Sequence, residues 1–133
     1  MTRFQPILLG SDINVYGMAR AFHEEYGINS EAYAYFQLSP TKFSNIVNVH
    51  VVDDFNNFVT FRDFMLNLGR RMKAEDPDRT LLLIPCGDVY ANLLSQCGDD
   101  LRRYFVYNTL DINLSRRLMQ LFILISLIIY FLV

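Results

Sequence analysis

An open α/β fold built on a mostly parallel sheet is what the sequence predicts, and three observations predict it. Short apolar runs alternate along the chain with amphipathic stretches at helical spacing. Thr80-Leu81-Leu82-Leu83-Ile84-Pro85 lacks the in-out alternation of a half-exposed strand, and Pro6-Ile7-Leu8-Leu9 is a second short apolar run. Each of these two runs ends in small residues and a carboxylate, Gly10-Ser11-Asp12 after the first and Cys86-Gly87-Asp88 after the second. A continuous apolar run marks a strand covered on both faces by helices, as parallel sheets are.

Taken in order, the first element is a strand ending at Leu9. Ile13 to Tyr26 follows as a helix, with Met18, Ala19, Ala21 and Phe22 as its apolar face and Gly27 where a C-terminal cap belongs. Glu31 to Phe36 reads as a second strand that Ser39-Pro40-Thr41 breaks, and Ile46 to Val52, rich in β-branched residues, as a third that Asp53-Asp54 closes. From Val59 to Ala74 the residues Phe61, Phe64, Met65, Leu68 and Met72 recur three and four apart, so this helix covers the sheet. Glu75-Asp76-Pro77-Asp78 turns into the strand at Thr80, which belongs near the sheet centre. Val89 to Gln96 is then a helix closed by Gly98, and Tyr104 to Tyr107 a last short strand. Asn108 to Arg117 turns toward a further helix, and Leu118 to Val133 is almost wholly apolar, interrupted by Gln120 and Ser126.

The 133 residues suit one domain, and a 52% hydrophobic content supplies its core. Twelve basic residues against fourteen acidic ones, a net charge of -2 and no basic run argue against a nucleic-acid surface. Small polar or anionic ligands are compatible with this balance. Cys86 and Cys97 are too few and too far apart for a zinc cluster; with no signal peptide at the start, they read as reduced thiols of a cytoplasmic protein. His23 and His50 have no metal-binding partner at a useful spacing and read as ordinary surface or strand residues.

In open parallel sheets ligands bind beyond the carboxyl ends of the strands, where helix N-termini favour anions. That places candidate substrate-binding residues at Gly10, Ser11, Asp12 and Asn14, and at Gly87 and Asp88. Two readings of the first loop stand side by side: contact with a ligand, or Ser11 or Asp12 serving as a helix cap. Gly10 with Gly17 does not make the Gly-x-Gly-x-x-Gly dinucleotide fingerprint. Asp53-Asp54 could be a metal pair, but adjacent acids at a strand end more simply face water or cap the next helix.

Pro6 to Arg20 resembles the start of ATP-grasp carboxylate-amine ligases of the D-aspartate ligase type, and Leu83-Ile84-Pro85-Cys86-Gly87-Asp88-Val89-Tyr90 looks like their second glycine loop. The likeness covers roughly residues 4 to 119. It implies a Rossmann-like pre-ATP-grasp domain over residues 1 to 117, which helps bind substrate beside the ATP-grasp domains. It implies a chemistry in which ATP and magnesium activate a carboxylate as an acyl phosphate that an amine attacks. For the D-aspartate ligases the product is a D-aspartyl branch on the lysine of a peptidoglycan precursor. The partner this implies is an amino acid or cell-wall precursor. By motif position, the six candidate residues are substrate-proximal rather than catalytic.

The sequence departs from the family after Leu118-Met119, where Leu121-Phe122-Ile123-Leu124-Ile125 replaces a mixed polar helix. Neither the family's nucleotide lysines nor its metal acids are present, so the chain alone is expected to bind no ATP or magnesium and not to ligate. A frameshift or truncation of the gene would give such an ending. The alternative is a non-catalytic ligand-binding module whose tail, residues 118 to 133, docks on the inner face of the membrane or on a partner, or self-associates. Arg116-Arg117 would then hold the domain on the cytoplasmic side. A complete small nucleotide-binding protein is the third reading, which the missing fingerprint disfavours.

Overall fold

The computed structural model describes residues 3–108 and 112–132, without the side chains of residues 112–116 and 119. Its strands are β1 (Phe4–Leu9), β2 (Ser30–Ala34), β3 (Val47–Val51), β4 (Thr80–Pro85) and β5 (Phe105–Val106). The helices are α1 (Ile13–Tyr26), α2 (Ser39–Lys42), α3 (Phe58–Glu75), α4 (Asp88–Cys97) and α5 (Ile112–Leu132). The strands form one sheet in the order β3-β2-β1-β4-β5, with every pairing parallel.

β1 lies at the centre. Ile7 pairs with Glu31 of β2 on one side and Leu83 of β4 on the other, and Ile7, Leu8 and Leu9 are all fully buried. Full burial of such a side chain contributes about 1.5–3 kcal/mol, so these three residues explain why the chain closes around β1. Their side chains alternate between two cores. Ile7 and Leu9 pack with Leu81, Leu83, Met65 and Leu94 beneath α3 and α4, whereas Leu8 packs with Val15, Ala19, Ala32 and Val47 beneath α1.

The apolar face of α1 is therefore Val15, Ala19 and the half-buried Phe22. Met18 and Ala21, expected on that face, are exposed, because the stripe that meets the sheet runs through Val15, Ala19 and Phe22 at spacings of four and three. α3 approaches the sheet closely at Gly69, where an added Cβ would stand 2.6 Å from the Tyr104 Cβ. Leu82 and Ile84, on the opposite face of β4, are only half-buried, so β4 is less completely covered than its apolar run predicts. At the amino end of the sheet, Arg3, Phe4, Phe22, Tyr26, Thr80 and Leu82 line an open apolar groove of about 430 Å³.

Three elements differ from expectation. β2 stops at Ala34 instead of Phe36, because Tyr35 and Phe36 leave the sheet to make the loop contacts described below. Ser39-Pro40-Thr41 starts the short helix α2, with proline in the first turn, where its missing N–H costs nothing. β5 is only two residues long, since the preceding turn carries the Phe105 N–H to the Leu101 carbonyl. Among the described residues no helix is long and apolar enough to cross a membrane. The Arg116 side chain, half of the basic pair noted before the tail, lies outside the described residues.

Candidate functional site

The sheet order sets the site. From β1 the chain passes through α1 to β2 on one side, whereas from β3 it passes through α3 to β4 on the other, so the winding reverses between β1 and β4. Ligand crevices form at the carboxyl ends of strands flanking such a reversal. The segments leaving those two strand ends are Gly10 to Asn14 and Cys86 to Asp88, so all six sequence-predicted residues stand at this one edge.

Their local roles differ. Gly10 has φ +128 and a Cβ there would lie 3.1 Å from Val15 and 3.8 Å from Cys86, so conformation and space together require glycine. Its N–H donates to the Tyr33 carbonyl at 2.9 Å, continuing the β1-β2 ladder into the loop. Asp12 is the N-cap of α1: Oδ1 accepts from the Asn14 N–H at 3.0 Å and the Val15 N–H at 3.2 Å, and Oδ2 accepts from the Asn14 amide at 3.3 Å. Of the two capping candidates, the structure assigns the cap to Asp12.

Ser11 is buried and fully engaged. Its hydroxyl donates to the Phe36 carbonyl at 2.6 Å and accepts from the Leu38 N–H at 3.2 Å, while its own carbonyl accepts from the Thr41 hydroxyl at 2.7 Å. Ser11 thus latches the 35–41 loop onto the β1 loop. This is the physical reason for the early end of β2 and for the seating of α2.

Gly87 is the N-cap of α4 and no side chain caps that helix, while Asp88 stands exposed in its first turn. Tyr90, not singled out in the sequence, joins the parts. Its hydroxyl accepts from the Tyr35 N–H at 3.0 Å, and its ring packs 5.9 Å from that of Phe55. Phe55 is fully buried in the turn after β3, against Phe61 and Phe64. An aromatic residue in the first turn of a helix that follows a small-residue loop was the available signal. Burial pushes the Tyr90 phenol pKa up, so it stays protonated through the neutral range. Burial, with the Asp12 charge behind it, likewise pushes the Cys86 thiol up to about 11, so this sulfur is not a ready nucleophile.

Asp53 and Asp54 face solvent beyond β3, Asp54 with φ +55, and the helix cap is Asn57, whose side chain accepts from the Val59 and Thr60 N–H groups. Among the described residues no group of three or more His, Cys, Asp or Glu could hold a metal ion. The two loops at the site contain neither lysine nor arginine, so these residues do not fit a nucleotide triphosphate with its magnesium. His50 is less ordinary than its spacing suggested: it stacks on Tyr33 at 4.8 Å and its Nε2 lies 2.6 Å from Glu31. That pair bridges β2 and β3, away from the reversal. His23 pairs with Asn29 at 3.0 Å on the surface.

The five-stranded parallel sheet, its helices on both faces and the loops at the winding reversal define a Rossmann-like α/β domain. The chain is 48% identical over 117 residues to a D-aspartate ligase of Enterococcus faecium (strain Aus0004), a match covering 88% of this chain. The resemblance to the D-aspartate ligase type read from Pro6 to Arg20 is thereby borne out, and the chain is ligase-related. It spans 28% of that relative's length. No family model matches the chain. No solved structure matches it either.

Proposed function

We propose that this chain is the substrate-side domain of an ATP-grasp carboxylate-amine ligase of the D-aspartate ligase type, and that its carboxyl-edge crevice holds an amino acid. The observation that carries this reading is the placement of Gly10 to Asn14 and Gly87 to Asp88 on either side of the winding reversal, in a chain related to a D-aspartate ligase. The chemistry of the edge suits an amino acid. The uncapped N-terminus of α4 favours a carboxylate, and the acidic side chains of Asp12 and Asp88, with no lysine or arginine in either loop, favour an ammonium group.

ATP and magnesium would supply carboxylate activation from the ATP-grasp region of such a ligase. The residues of this chain bind and orient: Gly10 allows close backbone approach, Ser11 and Tyr90 hold the rim, and Asp12 fixes the start of α1. The reaction in view is D-aspartate addition to a peptidoglycan precursor, on the cytoplasmic side.

A chimaera tests this directly. The aligned 117 residues of this chain replace the matching segment of the enterococcal ligase, and ligation of D-aspartate is followed. Retained ligation supports the assignment. A second chimaera with Asp12→Asn keeps the cap but removes its charge; it should raise KM for the amino acid while leaving thermal stability unchanged. A folded chimaera without ligation, or an Asp12→Asn variant with unaltered kinetics, contradicts the reading.

A further inference from the structure

We propose that Glu31, Asn48 and His50 form a binding site for a divalent transition-metal ion of the zinc class, a clamp across β2 and β3 that does not depend on the carboxyl-edge crevice. The sheet register brings the three together. Glu31 on β2 stands opposite Asn48 on β3, Tyr33 stands opposite His50, and residues two apart on a strand share a face. His50 Nε2 lies 2.6 Å from Glu31 Oε2, and the Asn48 amide nitrogen lies 3.2 Å from both atoms. The partner of His50 is thus 19 residues away on another strand, beyond the reach of a spacing motif.

Protons alone do not satisfy this trio. His50 Nε2 has a single bonding position, either an N–H or a lone pair. As an N–H it serves Glu31 but faces the Asn48 amide donor against donor. As a lone pair it accepts from Asn48 but meets the Glu31 carboxylate lone pair to lone pair at 2.6 Å. A metal ion removes the conflict. With the Asn48 amide turned to present its oxygen, three lone pairs converge. A point about 2.1 Å from all three atom positions, the ordinary zinc distance to imidazole nitrogen and carboxylate oxygen, lies just off their plane.

The surroundings suit an ion. The His50 ring stacks on Tyr33 at 4.8 Å with 16° between the planes, and Tyr33 is itself buried against Phe64 of α3, so the core fixes the orientation of the imidazole. The side chains of His50 and Glu31 keep 43% and 33% of their surface in solvent, which leaves the outer coordination positions to water. From α3, Arg71 and Glu75 act on the Tyr33 hydroxyl with opposite charges, so this pair adds no net charge and Glu31 supplies a negative one. An imidazole among oxygen donors favours zinc over magnesium or calcium, which take oxygen ligands.

The test is a calorimetric titration of the full, metal-free chain with zinc chloride near neutral pH. Saturable binding of one ion per chain in the micromolar range is expected, with a rise in melting temperature. Glu31→Gln and His50→Ala should each raise Kd by at least about tenfold, while His23→Ala, which removes the surface histidine paired with Asn29, should leave it unchanged. Far-UV circular dichroism of the variants should match the parent. A readout that needs no substitution is the imidazole nitrogen spectrum of the nitrogen-15-labelled chain, in which zinc should shift Nε2 of His50 and leave His23 in place. Absence of saturable binding, a His50 Nε2 resonance that zinc does not move, or equal weakening by His23→Ala and His50→Ala overturns the proposal.

Discussion

The Tyr90 hydroxyl accepts a hydrogen bond from the backbone N–H of Tyr35 at 3.0 Å, fastening the first turn of α4 to the residue that follows β2. The bond spans the carboxyl edge of the sheet across β1, and it closes the candidate crevice on one side. Phe55 seats the same ring from the β3 exit. One side chain therefore fixes three of the segments that shape the edge, and its removal is informative.

Tyr90→Phe keeps the ring packing and removes the hydroxyl. The Tyr35 N–H loses its partner, so stability should fall by about 0.5–1.5 kcal/mol in urea titration. Amide hydrogen exchange at Tyr35 should quicken by more than at residues in β1. Unchanged exchange at Tyr35 would mean the bond does not form.

Two glycines should respond in opposite directions. Gly69→Ala places a methyl 2.6 Å from the Tyr104 Cβ and 2.8 Å from the Phe105 ring, where α3 meets β5, and should destabilise by about 1–3 kcal/mol. Gly17→Ala, on the exposed side of α1 with nothing within 4 Å, should stabilise by about 0.5–1 kcal/mol. Thermal melts of the two variants check both signs at once.

Asp12 is a cap before it is anything else. Asp12→Ala should cost about 0.5–2 kcal/mol of stability, while Asp12→Asn, which still accepts from the Asn14 and Val15 N–H groups, should cost a few tenths at most. Equal losses in the two variants, measured by denaturant titration, would show that the charge and not the cap is what matters.

Alkaline pH should weaken the fold. Burial raises the Cys86 and Cys97 thiols from their ordinary 9.0 to about 11 in the folded chain. A raised folded value means the native state holds the proton more tightly than the unfolded state. The stabilisation is therefore complete below pH 9 and is lost as pH climbs toward 11. The melting temperature should fall across that window, and a Cys86→Ser, Cys97→Ser double variant should show a smaller fall. The same burial should make both thiols slow to react with iodoacetamide at pH 8 relative to the unfolded chain.

Local chemistry made much of this fold legible. The apolar run of β1, the periodicity of α3 and the left-handed Gly27 cap of α1, at φ +66, are properties of adjacent residues, and each element forms where the sequence puts it. The two small-residue loops were legible for the same reason. What escaped was set by distant partners: Ser11 meets Phe36 and Thr41, 25 and 30 residues away, and Tyr90 meets Tyr35 across 55. Those bonds end β2 early and seat α2. The Asp53-Asp54 turn was legible in part: its acids face water, as the sequence reading preferred, but the cap belongs to Asn57 and the turn carries Phe55 into the core.

The assignment of this domain turns on whether the carboxyl edge binds an amino acid. The decisive measurement is a titration of the full, nitrogen-15-labelled chain with D-aspartate, followed by amide proton-nitrogen correlation spectra. Saturable shifts are expected at Gly10, Ser11, Asp12, Asn14, Gly87 and Asp88, weaker with L-aspartate, and none at Arg3, Phe4, Tyr26, Thr80 and Leu82 in the groove at the other end of the sheet. Silent edge amides at millimolar D-aspartate, or shifts confined to that groove, would contradict it.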